Sequence, residues 1–361
     1  MPKPVSTKMS LSAARQRAAT PMRLGFAVKV LGQAGLKSND SRRWQSAPHL
    51  RVSLGYVREI FRYLGKHAIT MYRLSSDLAP YLTHPAMPQF RDQIRECTAE
   101  LRELGADAAA LGLRLSFHPS QYIILNSPKL ELIAQSILDV QSQAEMLDRM
   151  EQGPEGVVVI HVGGVYGDRV AGRERWARTY EKLPERARRR LVLENDDISY
   201  SAADVLEIHR LTGVPLVFDH QHWCCLNPER LPLRETAEAF VRTWPAGVRP
   251  KMHFSSPRTE IREVKRKNRK TQRTETVSLP PLLTGHADYN NPFEFARVMH
   301  ELDGLEFDVM LEAKAKDLAL RRLRTHLARY APDVAERFGV SRTPAEAEPE
   351  EITVEPEIAL A

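Results

Sequence analysis

Residues 191–219 read LVLENDDISYSAADVLEIHRLTGVPLVFD. A short apolar run closes on Glu194, and a polar turn follows. Ser201 then stands where an N-cap belongs, ahead of Ala202, Ala203 and Asp204. A helix-length stretch runs to 213, and a second apolar run closes on Asp219. Strand, helix and strand in this order make one right-handed crossover of a parallel sheet.

Working outward, the same unit recurs. Apolar runs lie at 24–28, 69–73, 113–118, 157–162, 191–194, 215–219, 251–254 and 308–312. Helical periodicity lies near 50–66, 88–112, 129–151, 172–182, 201–213, 233–243, 292–303 and 315–331. In the third of these, Leu130, Ile133, Ile137, Val140, Ala144 and Leu147 recur at three and four residues, an apolar stripe. Eight such units predict an α/β fold, a (β/α)8 TIM barrel with enlarged loops on its C-terminal face. The rival is an open, doubly wound sheet. That fold usually carries a glycine-rich phosphate loop after its first strand, where only Gly32 and Gly35 stand.

The 361 residues are 42% hydrophobic and 27% charged, with a formal net charge of +6. No apolar run approaches the ~20 residues of a membrane span, and the N-terminus lacks the compact apolar core of a secretory signal. Cys97, Cys224 and Cys225 are the cysteines, too few for a disulfide scaffold or a cysteine-rich zinc module and suited to a reducing cytoplasm. The charge is unevenly spread. Residues 1–22 carry Lys3, Lys8, Arg15 and Arg17 without an acid; residues 341–361 carry Arg342 against six glutamates. Both ends are expected to be disordered tails, one basic and one acidic, around a barrel domain at 23–340. Met22 is an expected native start, since the first strand-like run begins at Arg23. Within the body, residues 262–284 read as a basic insertion loop, with seven basic residues between Arg262 and Arg273. A solvated loop and a phosphate-contacting one are both open readings.

The polar residues that end the apolar runs carry the chemistry. They are His118, His161, Glu194, Asp219 with His222 three residues on, and Glu312; the seventh run carries Lys251 and His253, whose spacing of two puts them on one face. In a parallel barrel these C-terminal strand ends converge on one mouth. A single histidine there is ordinarily a hydrogen-bonded structural residue. Six strand ends finishing in ionisable groups are another matter, because buried charges need compensation. Divalent cations supply it, the rival being a structural polar cluster. Imidazole and carboxylate without thiolate suit zinc, manganese or iron better than calcium or magnesium. The donors exceed one coordination sphere, so two or three ions are expected, an arrangement used in phosphodiester cleavage. His67, His209 and His300 lie in helical stretches and read as packing or surface residues, whereas composition leaves His84 and His286 open. No Walker-type loop occurs, so no nucleotide cofactor is expected.

Taken together, the motifs resemble the UV damage endonucleases, metal-dependent (β/α)8 DNA repair enzymes, from about residue 23 to 328. The resemblance rests on Met22-Arg-Leu-Gly, Arg73-Leu-Ser-Ser with Thr83-His84-Pro85, Ser116-Phe-His-Pro-Ser-Gln-Tyr122, His161-Val-Gly-Gly, Leu193-Glu-Asn-Asp196, Asp219 with His222, Lys251-Met-His253 and Leu311-Glu-Ala-Lys314. It implies metal ligation by His84, His118, His161, Glu194, Asp219, His222, His253, His286 and Glu312, with manganese the expected ion. Lys251 is implied to be carboxylated and to join them; an unmodified lysine on the scissile phosphate is the rival. Glu194, Lys251, Glu312 and His161 are the implied catalytic residues. Gln121 and Tyr122 resemble a lesion probe, and Phe26, Arg73, Lys265, Arg266 and Lys267 are expected to contact DNA. The sequence departs from some relatives in having Phe26 and Val30 where they carry Tyr and Asn.

The implied activity is a nick immediately 5′ to cyclobutane dimers, (6-4) photoproducts and also abasic sites in duplex DNA, opening an alternative excision repair pathway. It would be made by a cytoplasmic, nucleoid-associated monomer with no membrane attachment. The alternatives are an abasic-site endonuclease of the same superfamily, a metal-dependent sugar isomerase and a non-catalytic DNA-binding module. The Gln121–Tyr122 pair and the basic insertion argue against the isomerase, and the ligand surplus against the module.

Overall fold

The structure is a computed structural model and describes residues 20–268 and 270–340. Its strands are β1 (Leu24–Ala27), β2 (Met71–Arg73), β3 (Arg114–Phe117), β4 (Val157–His161), β5 (Leu191–Glu194), β6 (Leu216–Asp219), β7 (Lys251–Phe254), β8 (Arg262–Lys267), β9 (Thr274–Leu279) and β10 (Asp308–Leu311). β1 to β7 and β10 form a closed parallel barrel in sequence order. Closure is direct, since β1 pairs with β2 through Gly25 and Met71 and with β10 through Leu24 and Val309. This excludes the open sheet. Gly25 is required where it stands, because a Cβ there would lie 2.7 Å from the Met71 carbonyl oxygen.

Helices pack around the barrel strands. The helix Leu50–Lys66 buries Leu50, Leu54, Val57, Ile60, Phe61 and Leu64, the 3.6-residue stripe that faces a sheet. Ala202–Thr212 opens on a capping box between Ser201 and Asp204 and ends at Gly213, whose φ of 73° admits a glycine without strain. Among the described residues no helix is long and apolar enough to cross a membrane. Short helices at Glu185–Arg190, His220–Cys225 and Pro332–Arg337 have no counterpart in the sequence reading.

Three expectations are corrected by the fold. The insertion at 262–284 is not a loop throughout: β8 and β9 pair as an antiparallel hairpin, with Val264 opposite Val277 at its centre. Phe26 offers no surface to DNA. All of β1 is buried, and the Phe26 ring packs edge-on against Tyr72 with centroids 5.4 Å apart. Residues 20–22, assigned to the basic tail, lie against the body: Met22 is buried and its N–H donates to the Arg337 carbonyl at 2.9 Å. The remainder of the two expected tails falls outside the described residues.

The N-terminal end of the barrel is closed by an ion network. Asp308, fully buried, accepts from Arg23 Nη1 and Arg114 Nη1, each at 2.9 Å, and from the Arg23 backbone N–H at 2.8 Å. Arg114 is buried as well, so neither charge can turn to water. Removing one partner of such a network leaves the other uncompensated. Asp308→Ala is therefore expected to destabilise the protein by about 3–5 kcal/mol, read as a lower urea midpoint at unchanged m-value.

Candidate metal centre

At the opposite end, the strand register assembles the polar residues. β4 and β5 pair His161 with Glu194, and β6 and β7 pair Asp219 with His253. Glu194 is the hub. Its Oε2 lies 3.0 Å from His118 Nε2 and 3.7 Å from His161 Nε2; its Oε1 lies 2.8 Å from His253 Nδ1 and 3.5 Å from His222 Nδ1. Glu312 forms a second focus, bonded by Arg73 Nη2 and lying 3.3 Å from His253 Nδ1 and 3.7 Å from His286 Nε2. Three overlapping sets of donor atoms each fall within 4.8 Å: His118, His253 and Glu312; His118, His161 and Glu194; Glu194, Asp219 and His222.

The donor chemistry fits divalent cations. His118 Nδ1 lies 3.1 Å from the Pro119 carbonyl, a bond that only an N–H can make. A neutral imidazole then turns its Nε2 lone pair toward the Glu194 carboxylate. Burial and the charges of Arg73 and His161 hold His118 well below the usual histidine range, so its ring stays neutral and its Nε2 can accept a proton shared by Glu194 or bind a cation. Two donor atoms 3.0 Å apart are also at the spacing of neighbouring ligands on one ion. Asp219 Oδ2 is buried without a hydrogen-bond partner, an open donor of the same cluster. Burial, together with Glu312 and Asp219, drives the Glu194 carboxyl well above its ordinary range, the mark of negative charge gathered without enough compensation.

Neighbouring residues fix the ligands in place. The Asn195 side chain donates to the Asp219 carbonyl at 3.0 Å and accepts its N–H at 2.9 Å, while the Asn195 carbonyl accepts from His222 Nδ1 at 2.9 Å. That bond leaves His222 Nε2 for coordination. Ser255 Oγ bonds both Gln221 and His286 Nδ1, and Gln221 in turn donates to the carbonyls of Leu283 and Gly285, at 3.0 and 3.1 Å. Ser116 Oγ accepts from Lys251 Nζ at 2.7 Å. Asn195, Gln221, Ser255 and Ser116 escape sequence reading because no spacing distinguishes a ligand's hydrogen-bond partner. Their one signal is adjacency, as in Glu194-Asn195 and His253-Phe-Ser255.

Of the residues singled out from sequence, His118, His161, Glu194, Asp219, His222, His253, His286 and Glu312 come together. His84 does not. It is exposed in the turn after β2, with Nδ1 accepting from the Ala86 N–H at 3.3 Å, and it belongs to none of the three donor sets. Arg73 is buried in the mouth beside Glu312 and 3.1 Å from His253 Nε2, not on an outer DNA face. Lys251 is buried one pleat below His253 on β7. Gln121 and Tyr122 stand in the loop after β3, Tyr122 at 77% exposure beyond the mouth. Lys265 and Lys267 share one face of the hairpin with Glu263, Thr274, Thr276 and Ser278. Arg266 lies on the opposite face, across from Glu275.

Comparison with known proteins agrees with this geometry. A family model described as UV-endonuclease UvdE matches residues 37–338. The UV DNA damage endonuclease of Bacillus velezensis is 32% identical over 281 residues, 77% of this chain and 81% of that protein. That of Bacillus cereus strain G9842 is 34% identical over 283 residues, 77% and 82% of the two chains. The crystal structure of SacUVDE superposes with a TM-score of 0.70 at 28% identity, covering 85% of this chain and 98% of that one.

The cluster makes cation binding and proton release one event. Burial lowers the affinity of His222 for a proton, but Asp219, Glu194 and Glu312 outweigh it and carry the imidazolium up to about 10. A cation must displace that proton at neutral pH. Calorimetric titration of metal-free protein with manganese, in buffers of different ionisation enthalpy, is expected to show at least one proton released at pH 7.5. Affinity should fall about tenfold per pH unit of acidification for each proton displaced.

Proposed function

Because the chain belongs to the UV-endonuclease family, we propose that it nicks duplex DNA immediately 5′ to ultraviolet photoproducts, using two or three divalent ions, manganese foremost. The observation that carries this reading is the set of overlapping donor groups sharing Glu194 and His118 at the barrel mouth. His118, His161, Glu194, Asp219, His222, His253, His286 and Glu312 would hold the ions. Ions there would neutralise charge developing on the phosphodiester. Arg73, already in the mouth, would meet the same phosphate. The protein would act as a monomer in the cytoplasm, on nucleoid DNA.

Lys251 is read as a carboxylated lysine. Burial, with Arg73 and Arg114 nearby, holds its ammonium well below the ordinary lysine range. A neutral amine is the form that adds to carbon dioxide, giving a carbamate and releasing a proton. The Ser116 hydroxyl 2.7 Å away holds Nζ in place.

Gln121 and Tyr122 are read as the lesion probe. A fused pyrimidine dimer stacks and pairs poorly, so extruding it costs less than extruding normal bases. An exposed Tyr ring entering the gap recovers about 1–3 kcal/mol of stacking. Duplexes carrying a cyclobutane dimer, a (6-4) photoproduct or an abasic site test the function directly. Incision at both photoproducts is expected with manganese and none with chelator; cleavage confined to the abasic duplex would reassign the enzyme to the abasic-site class. In the same assay, Gln121→Ala with Tyr122→Ala should abolish photoproduct incision while bound metal, counted by mass spectrometry, is unchanged.

The hairpin supplies contacts that do not depend on the lesion. Its Lys265 face carries two lysines and three hydroxyls, groups suited to phosphate oxygens, with Glu263 on the same face opposite Ser278. Lys265→Ala with Lys267→Ala is expected to weaken damaged and undamaged duplex equally and to lower the slope of log K against log salt by about two. Arg266→Ala, on the other face, should leave that slope unchanged.

A further inference from the structure

The loops after β1 and β10 carry three lysines that the centre described above does not use: Lys29, Lys314 and Lys316. β1 and β10 are neighbours, with Phe26 opposite Leu311. Lys29 and Lys314 therefore each stand three residues beyond the same rung, past the C-terminal ends of adjacent strands. Lys316 is brought to them by the residue that follows it. Buried Asp317 accepts the Leu31 N–H at 2.7 Å, the Gly32 N–H at 3.0 Å and the Tyr63 hydroxyl at 2.6 Å. These bonds strap the β1 loop against the start of the helix Lys316–Tyr330. Gly32 is required there, since a Cβ would lie 2.7 Å from Asp317 Oδ2.

The backbone on either side of the strap is held in the left-handed region, at φ 65° for Val28 and 53° for Lys316. Such conformations persist in non-glycine residues only where surrounding contacts fix them. Lys29 and Lys314 are exposed, and Lys316 is half-buried. The nearby carboxylate, Glu312, already serves Arg73, His253 and His286. Burial and the charges of Arg73, Lys314 and Lys29 push the Lys316 ammonium down against the pull of Glu312. Positive side chains thus stand at the rim of the mouth beside Glu312, where an anion that reaches the centre and its rim together would meet them.

We propose that Lys29, Lys314 and Lys316 form a phosphate cleat that grips the DNA backbone next to the scissile bond. The cleat rests on the nuclease reading, since the backbone must already be seated at Glu312. Each ammonium offers three rotatable donors, which suits a phosphate whose orientation varies with sequence. The cleat would set which phosphate lies over the centre.

The test uses the full chain with manganese. Lys314→Ala, Lys316→Ala and their combination are compared with wild type for binding to a photoproduct duplex across salt, and for kcat and KM of incision. The double variant is expected to lower the salt slope by about 0.9 per lost contact and to raise KM about tenfold or more, with kcat within a fewfold of wild type. Lys314→Arg with Lys316→Arg should restore the slope. Duplexes in which single phosphates are replaced by neutral methylphosphonates locate the contact: wild type should lose binding at one or two adjacent positions beside the cut, and the alanine double variant should lose nothing further there. An unchanged salt slope, or an identical methylphosphonate profile in variant and wild type, overturns the cleat. Wild-type protein that fails to incise any photoproduct duplex overturns the nuclease reading instead. If the double variant does not fold, Lys314→Gln alone carries the same comparison with half the expected slope change.

Discussion

A carboxylate with no access to water must find its compensation within the protein. Glu194 is such a group, fully buried and facing the imidazoles of His118, His161, His222 and His253. Four rings converge on it because β3 to β7, consecutive strands of a closed barrel, bring the residues at and just past their C-terminal ends to one point. Opening the barrel at any seam would separate the donors. The helices, the caps and the close approach at Gly25 all serve that closure, and the asparagine and serine partners fix which lone pairs face inward.

The two ends of the barrel show opposite solutions to one electrostatic problem. At the N-terminal end, Asp308 sits between Arg23 and Arg114 at hydrogen-bond distance, and the charges satisfy one another. At the C-terminal end, acceptors face acceptors: a histidine lone pair meets a carboxylate, and an aspartate oxygen meets nothing. The first arrangement is complete as it stands and reads as structural. The second is complete only with added positive charge, which distinguishes a binding centre from a polar core. Burial alone would not separate them, since Asp308 and Glu194 are both fully buried.

Much of this was legible in the sequence for a physical reason. A parallel barrel buries both faces of its strands, so they appear as short continuous apolar runs, and the polar residue that ends each run stands out. All eight runs became strands within a few residues of their expected limits. The hairpin was hidden because REVKRK and TETVSL carry little apolar signal; backbone pairing and the Val264–Val277 contact make it a strand pair. Phe26 was misplaced because a resemblance transfers position but not burial. His84 carries a motif, yet it is exposed and hydrogen-bonded within its own loop. His220 carries no distinguishing sequence signal, although it is buried and stacked on Phe254 with centroids 5.3 Å apart. A ring that packs within a short helix has no strand end to mark it.

The strap at Asp317 and the pairing of β1 with β10 join the first strand of the barrel to the last. Glu312 follows directly on that last strand. During synthesis, a chain still short of residue 312 already contains the histidines of the centre, yet it lacks both the seam that holds them together and a focus of the centre. Cutting power would therefore arrive late and all at once, when the final strand leaves the ribosome.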